Sequence, residues 1–227
     1  MMVGAAEPCL PAGWALRGCE AERGVPMITD GAGLAVAAEE VVRIGCAMAG
    51  GVDAIVVAAF GDPGAETLLA LVSIPVVGIG EAALREAGAG ARRFGVATTT
   101  PGLVASIEAR VRSLGLSAGF TGVRVPAGDP ITLAASPAEQ GAALAKAVHV
   151  CLHQDGASAV AIGGGPLSGS AARLTARFGG AIIEPLPAAM RALRDVVTLS
   201  RTVLHCAQGA DHGQTRRRTR YQSGDVA

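Results

Sequence analysis

Aromatic side chains make up only 3% of this 227-residue chain and charged ones only 17%. The 19 basic residues are matched by 19 acidic ones, so no net charge pulls the chain toward nucleic acid or an acidic membrane surface. No apolar run approaches the ~18–20 residues that span a bilayer. The opening MMVGAAEPCLPAGW lacks a basic stretch followed by a long apolar one, so no signal peptide is read and a cytoplasmic protein is expected. There is no C-x-x-C pair. The five cysteines (Cys9, Cys19, Cys46, Cys151 and Cys206) are odd in number, which fits reduced, buried thiols better than a disulfide framework or a zinc site. His149 and His153 stand i, i+4 around Cys151, but no third ligand accompanies them, so they read as surface helix residues and no metal is expected.

What the chain does have is small and apolar. Half of its residues are hydrophobic and 32 are glycine. That mixture suits a tightly packed α/β protein with small residues where helices meet sheets. Residues 33–50 have helical periodicity and stop at a glycine pair. Short apolar runs at 53–59, 74–80, 92–100 and 119–125 read as strands, as does the SAVAIGGG run before Pro166. Helical segments separate them: about 64–71, 81–91, the stretch after Pro101, and 137–156. Residues 126–136 read as a loop, and GAIIEP is followed by a last helix, LPAAMRALRDVVTLS. Strand alternating with helix predicts parallel β–α–β units. Residues 1–30 form an atypical opening segment, 31–205 the α/β region, and 206–227 a polar tail expected to be disordered. The arginines of that tail (216–218 and 220) read as a solvated run.

Two segments echo each other. GVDAIVVAAFGDPG begins at Gly51 and GASAVAIGGGPLSG at Gly156; further on, SIPVVGIGEAALR (73–85) matches GGAIIEPLPAAMR (179–191). A duplication spanning about 51–85 and 156–191 predicts two pseudo-symmetric lobes with mostly parallel sheets and a cleft between them. Equivalent groups on opposite walls of such a cleft can take a proton from one face of a planar intermediate and return one to the other face, which is two-base racemisation. The two positions are Ala59 and Gly164. Neither carries an ionisable group.

The stretches DAIVVAAFGDPG (53–64), VSIPVVGIGEAAL (72–84), RRFGVATTTPGLVASIEARV (92–111) and DGASAVAIGGGPLSG (155–169) resemble the aspartate/glutamate/hydantoin racemase superfamily, most closely its hydantoin and allantoin racemase branch. The resemblance implies a racemase of two pseudo-symmetric α/β lobes. It implies action at the α-carbon of a small ureide or carboxylate without a cofactor, through one cysteine per lobe. Those cysteines would stand at Ala59 and Gly164, so the catalytic positions are substituted here. The family's opening strand and Asn-Pro-Asn-Thr type loop have no counterpart in residues 1–30. By the same resemblance the partner is a small ureide or carboxylate, with no nucleic acid or membrane, and a homo-oligomer is expected.

Other residues compete for a role. Asp62 reads first as a cap of the helix that follows it, beside Pro63, and alternatively as a base whose pKa is raised in an apolar cleft. Glu184, at the end of AIIE, reads as a solvent-exposed strand end or as a second base facing the cleft. Ser168 is a poor base without a partner. Thr98, Thr99 and Thr100 suit either a carboxylate or imide oxygen or an ordinary N-cap cluster. Phe60 and Gly61 in the first loop, and Gly163, Gly165, Pro166 and Leu167 in the second, are the remaining candidate contacts to substrate. The glycine run is no dinucleotide fingerprint, since G-x-G-x-x-G spacing is absent. The alternatives to a racemase are a non-catalytic small-anion or ureide binder of the same fold, and a one-base isomerase or decarboxylase.

Overall fold

A computed structural model describes residues 2–164 and 167–198. In chain order the elements are α1 (Met2–Ala6), α2 (Gly31–Met48), β1 (Ile55–Val57), α3 (Ala65–Leu71), β2 (Val76–Gly78), α4 (Ile79–Ala87), β3 (Phe94–Ala97), α5 (Val104–Ser113), β4 (Phe120–Arg124), α6 (Pro130–Ala135), α7 (Pro137–His153), β5 (Ala159–Ile162), α8 (Ser168–Phe178), β6 (Ile182–Ile183) and α9 (185–198). Residues up to Leu193 form one compact unit.

All strand pairings are parallel. β1 pairs β2, with Ile55 opposite Val76 and Val57 opposite Gly78. The other four strands form a second sheet in the order β4-β3-β5-β6. This is the expected α/β fold with parallel sheets, and two sheets are consistent with a two-lobed arrangement. β3 and β5 are buried along their whole length, as continuous apolar runs require. Their side chains alternate between two cores. Phe94, Val96, Ala159 and Ala161 face one, with Ile79, Ala83 and Leu84 of α4 and Ile107 and Val111 of α5. Ala97, Val160 and Ile162 face the other, with Leu144 and Val148 of α7.

The strands are shorter than their apolar runs. The run 53–59 continues past Val57 into a turn, and 74–80 gives its last two residues to α4. Arg92, Arg93 and the three threonines lie outside β3. The loop expected at 126–136 contains α6. Asp129 caps it, its carboxylate accepting from the Thr132 N–H at 2.8 Å, and Pro130 takes the first helical position. The opening segment is helical at Met2–Ala6, and Ala6 is buried in the first core. The tail 206–227 lies outside the described residues.

Candidate functional site

The first loop leaves β1 and turns at once. The Asp62 N–H donates to the Ala59 carbonyl at 2.8 Å, closing a turn over Phe60 and Gly61. Asp62 itself sits at φ 47°, in the left-handed region that Asp tolerates better than most residues. Its carboxylate reaches the start of α4: Oδ1 accepts from Gly80 N–H at 2.7 Å and Oδ2 from Glu81 N–H at 2.5 Å. The cap expected on the following helix is therefore made on another helix. At α3 the cap position belongs to Gly64, at φ 69° and with no side-chain cap bond. The approach is close, since a Cβ on Gly80 would lie 1.9 Å from the Phe60 carbonyl oxygen and one on Gly78 2.2 Å from the Asp62 carboxyl carbon. Burial pushes the Asp62 carboxyl up to about 7, against the two N–H donors and the Arg110 guanidinium, which favour the charged form.

Arg110, which the sequence reading passed over, links three helices. From α5 it donates to Glu66 on α3 and, at 2.7 Å, to Glu81 on α4. Its Nε is buried without a partner among the described residues, beside a cavity of about 30 Å³ that Phe60, Gly61, Leu34 and Ser106 also line. Local sequence patterning holds no signal for such a three-helix link. The GIGE run at a strand-to-helix junction marks only the place where backbone N–H groups are free.

The second loop leaves β5. The Gly163 N–H donates to the Ala97 carbonyl at 2.8 Å, and Thr98 Oγ1 donates to the Gly163 carbonyl at 2.7 Å. Thr98 Oγ1 also accepts from the Thr100 N–H at 3.3 Å. The threonine turn and the glycine loop are thus one hydrogen-bonded assembly. A Cβ on Gly163 would lie 2.9 Å from Val96 Cγ1 and 3.4 Å from Phe60 Cε1. The Phe60 ring of the first loop therefore reaches the second, and the structure brings the two loops together. Gly164 is nearly as tight, but against one side chain. Its backbone is outside the left-handed region, and a Cβ there would meet only the Leu167 side chain, at 3.0 Å. Ala59 and Gly164 are both half-buried.

All three threonines are buried, at 0%, 1% and 5% exposure for Thr98, Thr99 and Thr100. They are not an N-cap cluster: the short 3₁₀ turn Pro101–Leu103 has Thr100 at its cap position with no side-chain cap bond. Among the described residues Thr99 Oγ1 has no hydrogen-bond partner, the state of a hydroxyl that a ligand oxygen would satisfy. Leu167 is buried, whereas Gly165 and Pro166 lie outside the described residues.

Glu184 does not join this group. Its Oε1 accepts from Thr175 Oγ1 on α8 at 2.7 Å, so the carboxylate, read as an exposed strand end or alternatively as a base facing the cleft, is half-buried and engaged by a helix. Cys151 lies under β3, its thiol pushed up to about 12 by burial and by the Asp155 charge, which suits packing and not nucleophilic chemistry. Cys46 is exposed on α2. His149 and His153 stack at 4.3 Å between ring centroids on the exposed side of α7, and no cluster of three or more metal-ligating side chains exists among the described residues.

No described helix is long and apolar enough to cross a membrane. The sequence model of the family described as Asp/Glu/Hydantoin racemase matches residues 1–193. The chain is similar to a hydantoin racemase of Rhizobium meliloti, 34% identical over 62% of this chain and 58% of that protein, and to one of Paenarthrobacter aurescens, 29% identical over 65% and 62%. It thus spans about three fifths of the length of the curated relatives it matches. Among solved structures it is similar to an allantoin racemase from Klebsiella pneumoniae, with TM-score 0.82 and 26% identity over 88% of this chain and 82% of that one. An allantoin racemase from Pseudomonas fluorescens gives 0.80 and 25% over 88% and 85%. With its parallel sheets, its converging loops and a family match over residues 1–193, this chain belongs to the Asp/Glu/hydantoin racemase family.

Proposed function

We propose that this chain is a racemase-framework protein that binds a small ureide or carboxylate between its first loop and its glycine loop, without the acid/base pair that racemisation needs. The observation that carries the reading is the chemistry at two positions. Ala59 offers a methyl group and Gly164 no side chain, so neither wall can take or return an α-proton. The groups a ligand would meet are still there: the Thr99 hydroxyl, unpartnered among the described residues, to hold a carbonyl or carboxylate oxygen, the half-buried Gly164 with no side chain in the way, and the Phe60 ring between the loops. The repeated order β1–α3–β2–α4 and β5–α8–β6–α9 supports a duplicated, pseudo-symmetric origin for the two loops. Binding without a cofactor, a cytoplasmic location and self-association belong to the same reading by family likeness.

A one-base isomerase or decarboxylase is the second reading, favoured by Asp62: a buried carboxyl poised near neutrality on the first loop has the pKa of a general base. Both of its oxygens already accept backbone N–H groups, which favours the first reading. Thermal melts with 5-substituted hydantoins, allantoin, aspartate and glutamate, paired with proton NMR of each in D₂O, separate the two. A binder raises its Tm with at least one compound and exchanges no α-proton. Exchange above the protein-free control that Asp62→Asn abolishes establishes the one-base reading, and exchange that survives it refutes both.

A further inference from the structure

A second concave site lies away from the loops, in the groove between α7 and α8, with a volume of about 540 Å³. That size is ordinary for a small-molecule pocket, for which ~300–1,000 Å³ is usual. One wall is the small-residue face of α7: Ala138, Gly141, Ala142 and Ala145. The other is α8, which presents Leu174 and two guanidiniums, Arg173 and Arg177, one turn apart. No acidic side chain lines the groove, and neither arginine has an ion-pair partner among the described residues.

The floor is built as well as charged. Gln140 and Ser170 are buried at 5% and 2% exposure, and Ser170 Oγ donates to Gln140 Oε1 at 2.9 Å. Arg173 Nη2 is 3.1 Å from both Ser170 Oγ and the Pro137 carbonyl, to which it donates. Its guanidinium is thereby held at the mouth of the groove and not left free in solvent. Arg177 is steadied against the Phe178 ring, 5.1 Å from its centroid. Two pre-positioned, un-neutralised forks over an apolar trough fit one ligand chemistry: a carboxylate or phosphate for the arginines and a compact apolar body for the alanine wall.

We propose that the groove between α7 and α8 is a second ligand site, for a small organic anion, distinct from the cleft between the loops. It rests on none of the residues that carry the proposed function, so either reading can fail alone. Benzoate and inorganic phosphate are the probes, titrated into the ¹⁵N-labelled chain. Benzoate is expected to shift the amides of Gly141, Ala142, Ser170 and Arg177 saturably, and phosphate, lacking an apolar body, to bind the same place more weakly. Arg177 is exposed, so Arg177→Gln is expected to melt like the parent and to weaken benzoate by about tenfold, the loss of one charge-assisted contact. Arg177→Lys, which keeps the charge but loses the fork, falls between them. Absence of saturable shifts at those amides overturns the proposal, as does equal benzoate affinity in Arg177→Gln and the parent. Sedimentation showing a self-associated protein that Arg177→Gln dissociates overturns it too, because the groove is then an interface between copies.

Discussion

Asp62 is the residue on which the first loop's geometry depends, and replacing it has a calculable cost. Asp62→Ala removes the acceptor of two backbone N–H groups at the start of α4 and leaves both donors buried or nearly so. At neutral pH the carboxyl is about half ionised, so each lost bond is worth ~1.5 kcal/mol, between the neutral and the charged values, and an alanine held at the left-handed φ of 47° adds ~1 kcal/mol. The expected loss is about 4 kcal/mol by urea denaturation at neutral pH, a large part of a domain's ordinary stability. Asp62→Asn tolerates the backbone and keeps one acceptor oxygen, so its loss is about half of that. The pH profile carries the sharper test. The folded pKa, about 7, lies above the ordinary 3.8. The folded state therefore holds a proton that the unfolded state has released, and stability falls as pH rises from about 4 to about 7. The asparagine variant loses that segment of the slope. A loss below about 1 kcal/mol for the alanine variant, or a pH profile that Asp62→Asn leaves unchanged, refutes the reasoning.

Thr99→Val replaces a buried hydroxyl with no partner among the described residues, so it is expected to leave urea stability unchanged or slightly raised while abolishing the ligand-induced Tm shift. Thr98→Val breaks the bond to the Gly163 carbonyl and is expected to cost ~1–2 kcal/mol in the same denaturation assay. Gly80→Ala places a Cβ 1.9 Å from the Phe60 carbonyl and is expected to fail to fold or to lose more than ~3 kcal/mol. Gly164→Ala meets the buried Leu167 side chain at 3.0 Å, which must yield by a few tenths of an ångström, and is expected to cost no more than ~1 kcal/mol.

The sequence and the structure agree where the physics is local. β3 and β5 are legible because a strand buried on both faces must be a continuous apolar run. Their lengths are overestimated where such a run outlasts the ladder, as at Ala58 and Ala59, or feeds a helix, as at Ile79 and Gly80. α6 is hidden because Asp129-Pro130 signals a turn and a helix start alike. The convergence of the two loops is foreshadowed by the echo between residues 53–64 and 155–169. The partners of Asp62 and Arg110 are not, because helices far apart in sequence supply them. Asp-Pro-Gly looks the same whether the carboxylate caps α3 or α4, and only the closeness of Gly78 and Gly80 decides it. Glu184 reads as a strand end with a free carboxylate until Thr175 is brought beside it by the turn between α8 and β6.

If the framework is intact and only its acid/base pair is missing, an Ala59→Cys/Gly164→Cys double variant should regain proton exchange. Gly164 accepts a side chain with a small shift of Leu167, and Ala59 already carries a Cβ, so the variant is expected to fold. In D₂O with a 5-substituted hydantoin, the parent chain is expected to show α-proton loss only at the protein-free background rate. The double variant is expected to show clear exchange, and either single variant less. A parent chain that exchanges the proton well above background, or a folded double variant that leaves it untouched, contradicts an intact framework lacking only its acid/base pair.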